Sequence, residues 1–237
     1  MPQIQLGEIK VDVIRKRIKN IHLSVYPPTG AVRISAPERL SLDTVRVFAL
    51  SKLGWIKKNQ RKLREQERES RRDFIERESH HVWGRRYLLH VIEREGQPSV
   101  EVEPSRMVLT VRPGTGRDQR QEIVEVWYRQ QVREALPALI AKWEPIMGVR
   151  VAQCTVRKMK TRWGSCTPQT RRIRINTDLA KKPSECLEYI LVHEMAHLLE
   201  PTHNERFVAL MDQFLPKWRS CRDELNRLPV RHEEWRY

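Results

Sequence analysis

Three histidines and a glutamate fall within eleven residues, His193-Glu194-Met195-Ala196-His197-Leu198-Leu199-Glu200-Pro201-Thr202-His203, and no other stretch is as well suited to chemistry. In a helix, residues four apart share a face about one turn apart, so His193 and His197 can turn two ring nitrogens toward one ion. Glu194 lies beside that face. It is offset from the ligand positions yet close enough to polarise a metal-bound water and carry its proton. His203 supplies a third ligand. Three protein ligands and an open fourth position describe a catalytic zinc, whose water has its pKa lowered to about 7. The competing reading is a packed or solvated histidine cluster. Against it, Leu187, Tyr189, Ile190, Leu191 and Val192 make a nearly continuous apolar run, into which His and Glu are not brought without partners.

The elements that must hold these groups can be read outward from them. Ser184 is placed to cap the metal helix, and Glu200-Pro201 to end it, because the residue before proline is pushed out of helical geometry. Thr202-His203-Asn204-Glu205 reads as a capping box with Thr202 as N-cap, so His203 opens a second helix and leans back toward the first pair. Leu210, Phe214 and Leu215 give that helix its apolar face before Pro216. Upstream, Asp118 can cap a helix running to about Met147, with Pro137 bending it, and strands are predicted over 149–156 and 172–176.

Toward the N-terminus, residues 9–36 alternate as an antiparallel hairpin whose basic loop, 15–20, is a solvated turn or an anion contact. Ser41 caps a helix carrying Leu42, Val45, Phe48, Ala49, Leu53 and Ile56, and the charged stretch 57–78 extends it as a solvated helix or a basic arm. A strand over 82–92, entered through Gly84, and a hairpin over 100–111 turning at Glu103-Pro104-Ser105-Arg106 follow. Pro113-Gly114-Thr115-Gly116 is the best linker. The expectation is therefore a β-rich N-terminal region with one long helix over 1–115 and a metal-binding catalytic region over 116–237, with no internal repeat.

At 237 residues with 39% hydrophobic content the chain can bury a core. Met1 to Gly7 show no charged leader before an apolar run, and no apolar stretch approaches a membrane span, so a cytoplasmic protein without a membrane partner is expected. Cys154, Cys166, Cys186 and Cys221 form no Cys-x-x-Cys pair and are expected to be reduced. The net charge of +15 favours polyanions such as DNA, without showing more than non-specific attraction.

Trp163-Gly164-Ser165-Cys166, then Ile173-x-Ile175-Asn176-x-x-Leu179, the His193 helix and His203-Asn204-x-x-Phe207 appear in the order found in the YgjP-like metallopeptidase family. That family resembles the wider SprT-like zincins. The likeness is dense over 150–215, and Trp55-Ile56-Lys57-Lys58 and Trp83-Gly84 extend it toward the N-terminus. Metzincins have glycine where this chain has Glu200, and the chain does not resemble them in that respect. The resemblance implies an α+β fold with a zincin-like helical catalytic half, zinc held by His193, His197 and His203, and Glu194 as base. It also draws attention to Asn176 and the 162–166 loop. Arg162 is a candidate to stabilise a developing oxyanion, since a guanidinium stays charged. The alternative is that Arg162 and Trp163 brace the loop. Cys166 reads as a packed thiol, and an edge strand at 172–175 would suit an extended peptide beside the zinc.

Three functions compete. The first is a zinc metallopeptidase acting through a water activated by Glu194. The second keeps the metal and hydrolyses nucleotide phosphoanhydrides, against which stands the lack of a glycine-rich phosphate loop. The third is a basic nucleic-acid-associated protein, as SprT-like relatives suggest that DNA association and proteolysis coexist. No recognised binding module accompanies that charge.

Overall fold

Alternating apolar residues in four short strands, Gln3–Leu6 (β1), Ile9–Lys16 (β2), His22–Tyr26 (β3) and Ala31–Pro37 (β4), give one sheet an apolar face. Ile4, Leu6, Val11, Val13, Val32, Ile34 and Ala36 are buried there. The helices Leu42–Ser51 (α1) and Leu53–Glu65 (α2) cover that face through Val45, Ala49 and Ile56. Ser41 caps α1 as expected, its hydroxyl accepting the Thr44 N–H at 3.1 Å. The strand order is β1-β2-β4-β3. Only β3 and β4 form the expected hairpin; β2 instead pairs with β4 in parallel, from Val11 opposite Val32 to Lys16 opposite Pro37. The structure is a computed structural model that describes residues 2–26, 29–65, 72–159 and 162–227, with the side chains of 62–65 and 226–227 outside that description.

The second sheet repeats this plan. Ser79–Val82 (β5), Arg85–Glu93 (β6), Ser99–Val102 (β7) and Arg106–Val111 (β8) are ordered β5-β6-β8-β7, again with antiparallel outer pairs and a parallel central pair. The expectation of no repeat therefore fails at the level of topology. Arg117–Met147 (α3) joins the same core through buried Val124, Tyr128, Val132 and Leu136, spaced four apart along one face. Its N-cap is Gly116, whose N–H reaches Gln119 Oε1 at 3.3 Å, and Asp118 lies inside the first turn rather than capping it. Gly148 ends the helix at φ 64°.

After α3 come Gln153–Arg157 (β9), Gly164–Thr167 (β10) and Arg172–Asn176 (β11), in a sheet ordered β10-β11-β9. A 3-10 turn, Thr177–Lys181, leads into Ser184–Ala196 (α4), Glu205–Phe214 (α5) and Trp218–Arg227 (α6). The class is α+β. Two compact units result, one within Met1–Ser70 and one within Arg71–Leu228. The second has a single core running from Phe74 to Leu225. The division expected at 115/116 thus falls inside this core, because β5 to β8 bury their apolar face against α3 and Pro113 to Gly116 is only the loop between them.

The charged helix expected to reach 78 ends, among the described residues, at Glu65, and 72–78 is not helical. Glu78 Oε2 accepts the Asp73 N–H at 3.0 Å while Phe74 is buried in the second core, so this stretch folds against the sheet instead of extending into solvent. Residues 66–71 and the tail from Leu228 through His232 to Tyr237 lie outside the described residues. No described helix is long and apolar enough to cross a membrane.

Candidate metal centre

Helix α4 is apolar on nearly every side, with Leu187, Ile190, Leu191, Val192, Met195 and Ala196 all buried. Such a helix belongs in the middle of a core, and its two ionisable positions, His193 and Glu194, are carried in with it. Ser184 does not cap it. Pro183 precedes the first turn in extended geometry, and its carbonyl accepts the Cys186 N–H at 2.9 Å. At the other end His197 keeps helical angles, φ −65° and ψ −16°, so it stays one turn from His193. The N–H groups of Leu198 and Glu200 still reach Met195 and Ala196 carbonyls before Pro201, which has no N–H to continue the series.

The Thr202 capping box does not form. Glu200 Oε1 takes both the Thr202 N–H and its hydroxyl, at 3.2 and 2.9 Å, and Asn204 caps α5 by accepting the Phe207 N–H at 3.0 Å. Asn is a strong N-cap, and the Thr202 hydroxyl is already spent on Glu200. His203 therefore sits in the turn before α5. It returns to the helix all the same.

The structure brings His193, His197 and His203 together, one ligand atom from each lying within 4.8 Å of the others. Their ring centroids are 4.7 to 5.0 Å apart, and the buried Phe207 ring lies 4.7 to 4.9 Å from all three. His197 Nδ1 is 3.1 Å from the Glu200 carbonyl, so donating there leaves Nε2 as the ligand lone pair. His193 Nε2 and His203 Nε2 are only 3.0 Å apart. Two such lone pairs repel unless a proton or cation lies between them, and two donors of a tetrahedral zinc stand about 3.3 Å apart. Burial holds the His193 ring well below its ordinary pKa, at about 4, with His197 and His203 adding to the effect, and it lowers that of His197 too. Neutral rings are what a metal requires. The residues fit a metal of the zinc type.

Glu194 is 6% exposed and has no hydrogen bond or ion pair among the described residues. Burial raises its pKa to about 7, against the opposing charge of Arg162. The cause of its seclusion is β10. A Cβ on Gly164 would stand 2.6 Å from Glu194 Oε1 and 2.7 Å from its Cγ, so only glycine lets this strand lie against the carboxylate. Gly164 stands in the Trp163 to Cys166 motif with no chemistry of its own, and the signal it carries in the sequence is that of a glycine opening a strand.

Asn176 is buried and acts as a latch on the preceding loop. Its Nδ2 donates to the Met159 and Arg162 carbonyls at 2.9 and 2.8 Å, and its Oδ1 accepts the Asp178 N–H at 3.1 Å. It thereby fixes the backbone of Arg162, whose side chain is exposed, while Trp163 is half-buried against the core. Lys160 and Thr161 of the same loop lie outside the described residues. The strand 172–176 forms as expected but is central, paired on both sides; the edge next to α4 is β10. The apolar alternation of β11 made it visible in the sequence, whereas Gly164-Ser165-Cys166-Thr167 has none.

The start of α4 is braced by the second sheet. Trp83 and Gly84, at φ 48° and 80°, make the two-residue turn between β5 and β6. The Trp83 N–H donates to the Ala180 carbonyl at 2.8 Å, and a Cβ on Gly84 would meet Pro183 Cγ at 2.9 Å. Tyr128 of α3 donates its hydroxyl to the His81 carbonyl at 2.8 Å.

Three clustered imidazoles with a buried carboxylate one residue along the same helix are the arrangement of a helix-borne metallohydrolase centre. The chain belongs to the YgjP-like metallopeptidase family, whose metallopeptidase-domain model matches residues 19–228. Among solved structures, the metallopeptidase zymogen of Pyrococcus abyssi abylysin is similar at 21% identity, covering 38% of this chain and 90% of that one, with a TM-score of 0.35. No curated protein matches at comparable significance.

Proposed function

We propose that the chain is a zinc-dependent peptidase with His193, His197 and His203 as ligands and Glu194 as general base and acid. The observation that carries this reading is the pairing of the three-histidine cluster with a buried carboxylate whose pKa is about 7. Zinc, when bound, supplies a Lewis acid that polarises a carbonyl and makes water acidic. A carboxyl that titrates near neutrality can take the proton of the attacking water at Oε1 or Oε2 and deliver it to the leaving amine. The free edge of β10 beside Glu194 can pair with an extended peptide, main chain to main chain, which orients the scissile bond along the strand. Arg162, held through its carbonyl by Asn176, carries a permanent positive charge toward that carboxylate and suits the role of oxyanion stabiliser. Phe207 and Gly164 exclude water from beneath and beside the site.

A parallel assay of denatured protein and nucleoside triphosphates, with and without chelator, tests this proposal. The expected result is chelator-sensitive peptide-bond cleavage. Chelator-sensitive release of phosphate or pyrophosphate, with no cleavage of protein, would transfer the same centre to phosphoanhydrides.

A further inference from the structure

We propose that the first unit carries a groove for single-stranded nucleic acid. The charge of this chain is unevenly spread: residues 1–65 hold 14 Lys and Arg against 5 Asp and Glu, while 72–227 hold 27 against 21. The excess converges in one place. A groove of about 860 Å³ lies where the β1–β2 turn and the β3–β4 turn meet α2, and Lys10, Lys57, Lys58 and Arg61 line it. Glu8 and Asp12 line it too, and the Asp12 carboxylate is engaged by Gln3 Nε2 at 2.8 Å. Among the described residues, no hydrogen bond or ion pair engages the ammonium of Lys10, Lys57 or Lys58.

A groove with four cations against two carboxylates attracts a chain of phosphates, and the exposed Trp55, next in sequence to the lining residue Gly54, narrows the class. Trp55 is 46% exposed, and Lys58 follows it by three residues on the same side of α2. An exposed aromatic flanked by cations offers a stacking surface to an unpaired base while the lysines follow the backbone. A base held in a duplex cannot use that surface.

The test measures binding of the full-length protein to an oligothymidylate of about 20 nucleotides, its duplex with oligoadenylate, and phosphatidylglycerol–phosphatidylcholine vesicles, across a salt series. The groove predicts preference for the single strand and a log–log salt slope of roughly −2 to −3, each neutralised phosphate adding about −0.7. The Lys57→Gln, Lys58→Gln pair flattens that slope by about 1.4. Trp55→Ala weakens binding about tenfold with the slope kept. All three side chains are exposed, and a melting curve checks that each variant keeps its fold. Removing the same charge from the second unit, with Arg85→Gln and Arg86→Gln, leaves affinity and slope unchanged. Equal weakening by that control pair, equal or tighter binding of duplex, tighter binding of vesicles, or a flat salt response would each overturn the proposal.

Discussion

The two four-stranded sheets have the same strand order and the same pairings, yet the second shares its core with α4, the helix of His193 and His197, and the first with α1 and α2. Their first hairpin turns make the contrast concrete. Gly7, at φ 61° in the β1–β2 turn, has nothing within 4 Å of where a Cβ would be, while Gly84 in the β5–β6 turn is in contact with Pro183 at the start of α4. The first sheet is covered by α1 and α2 on its apolar face, and Gln3, Gln5, Lys10, Asp12 and Arg33 are among the residues on the other. The second is built into a core that includes α3 and α4. The same topology thus stands under two helices in one unit and braces the start of α4 in the other, where the β5–β6 turn makes the contact.

The largest expected effect belongs to the second unit alone. His197→Ala removes a ligand and lowers peptidase kcat/KM about a thousandfold or more, with metal content lost. The salt-dependent binding proposed for the first unit is unaffected by the same substitution. Metal retained at wild-type level in His197→Ala would break the contrast.

Gly164→Ala sharpens the account of β10. The new methyl must displace either the Glu194 carboxylate or the strand, and a displacement of about 1 Å costs on the order of a hundredfold in kcat. Metal content should stay normal, which separates this effect from loss of a ligand. Asn176→Ala is expected to lower kcat about tenfold and stability by about 2–3 kcal/mol, because the Met159 and Arg162 carbonyls lose their donor. Asn176→Asp, which keeps the acceptor and removes the donor, should resemble the alanine variant.

The smallest effects compare the two turns directly. Gly7→Ala should cost about 1 kcal/mol, the strain of a positive φ, and Gly84→Ala about 3 kcal/mol, because the proline cannot yield. All four cysteines lie in the second unit, and burial raises Cys154 to about 11 and Cys186 to about 12. Cys186 is the one of the four that is fully buried, so its alkylation at pH 8, followed by mass spectrometry of its peptide, reports opening of the second unit. Labelling at pH 8 should be faster in Gly84→Ala and unchanged in Gly7→Ala. Equal rates in the two would remove the distinction between the turns.

How much of this was legible in the residues differs between site and fold. His193, Glu194 and His197 were visible because helical spacing puts them within one turn, and His203 because the tight return at Pro201 carries it back whichever residue caps α5. The caps were less legible. Ser184, Thr202 and Asp118 have the right chemistry for an N-cap, but neighbouring groups decided the outcome: Glu200 captured Thr202, and Gly116 was already extended. The sheet order was not legible, since the β2–β4 and β6–β8 pairings are parallel and join strands about twenty residues apart. Periodicity identifies strands, not partners. The repeat was hidden for the same reason, because it lives in pairings and not in side chains. Pro113 to Gly116 has the composition of a linker, and only the burial of Leu109 and Val111 with Val124 shows that the core continues across it.

The central claim, that a three-histidine metal site works with Glu194, is tested most directly by metal content and peptide hydrolysis measured side by side in wild type and Glu194→Gln. The account predicts one zinc per chain in both proteins and hydrolysis only in the wild type, because the amide keeps the shape of the carboxylate and cannot carry its proton. A Glu194→Gln protein that cleaves at the wild-type rate, or a wild type that is fully active without metal, would contradict it.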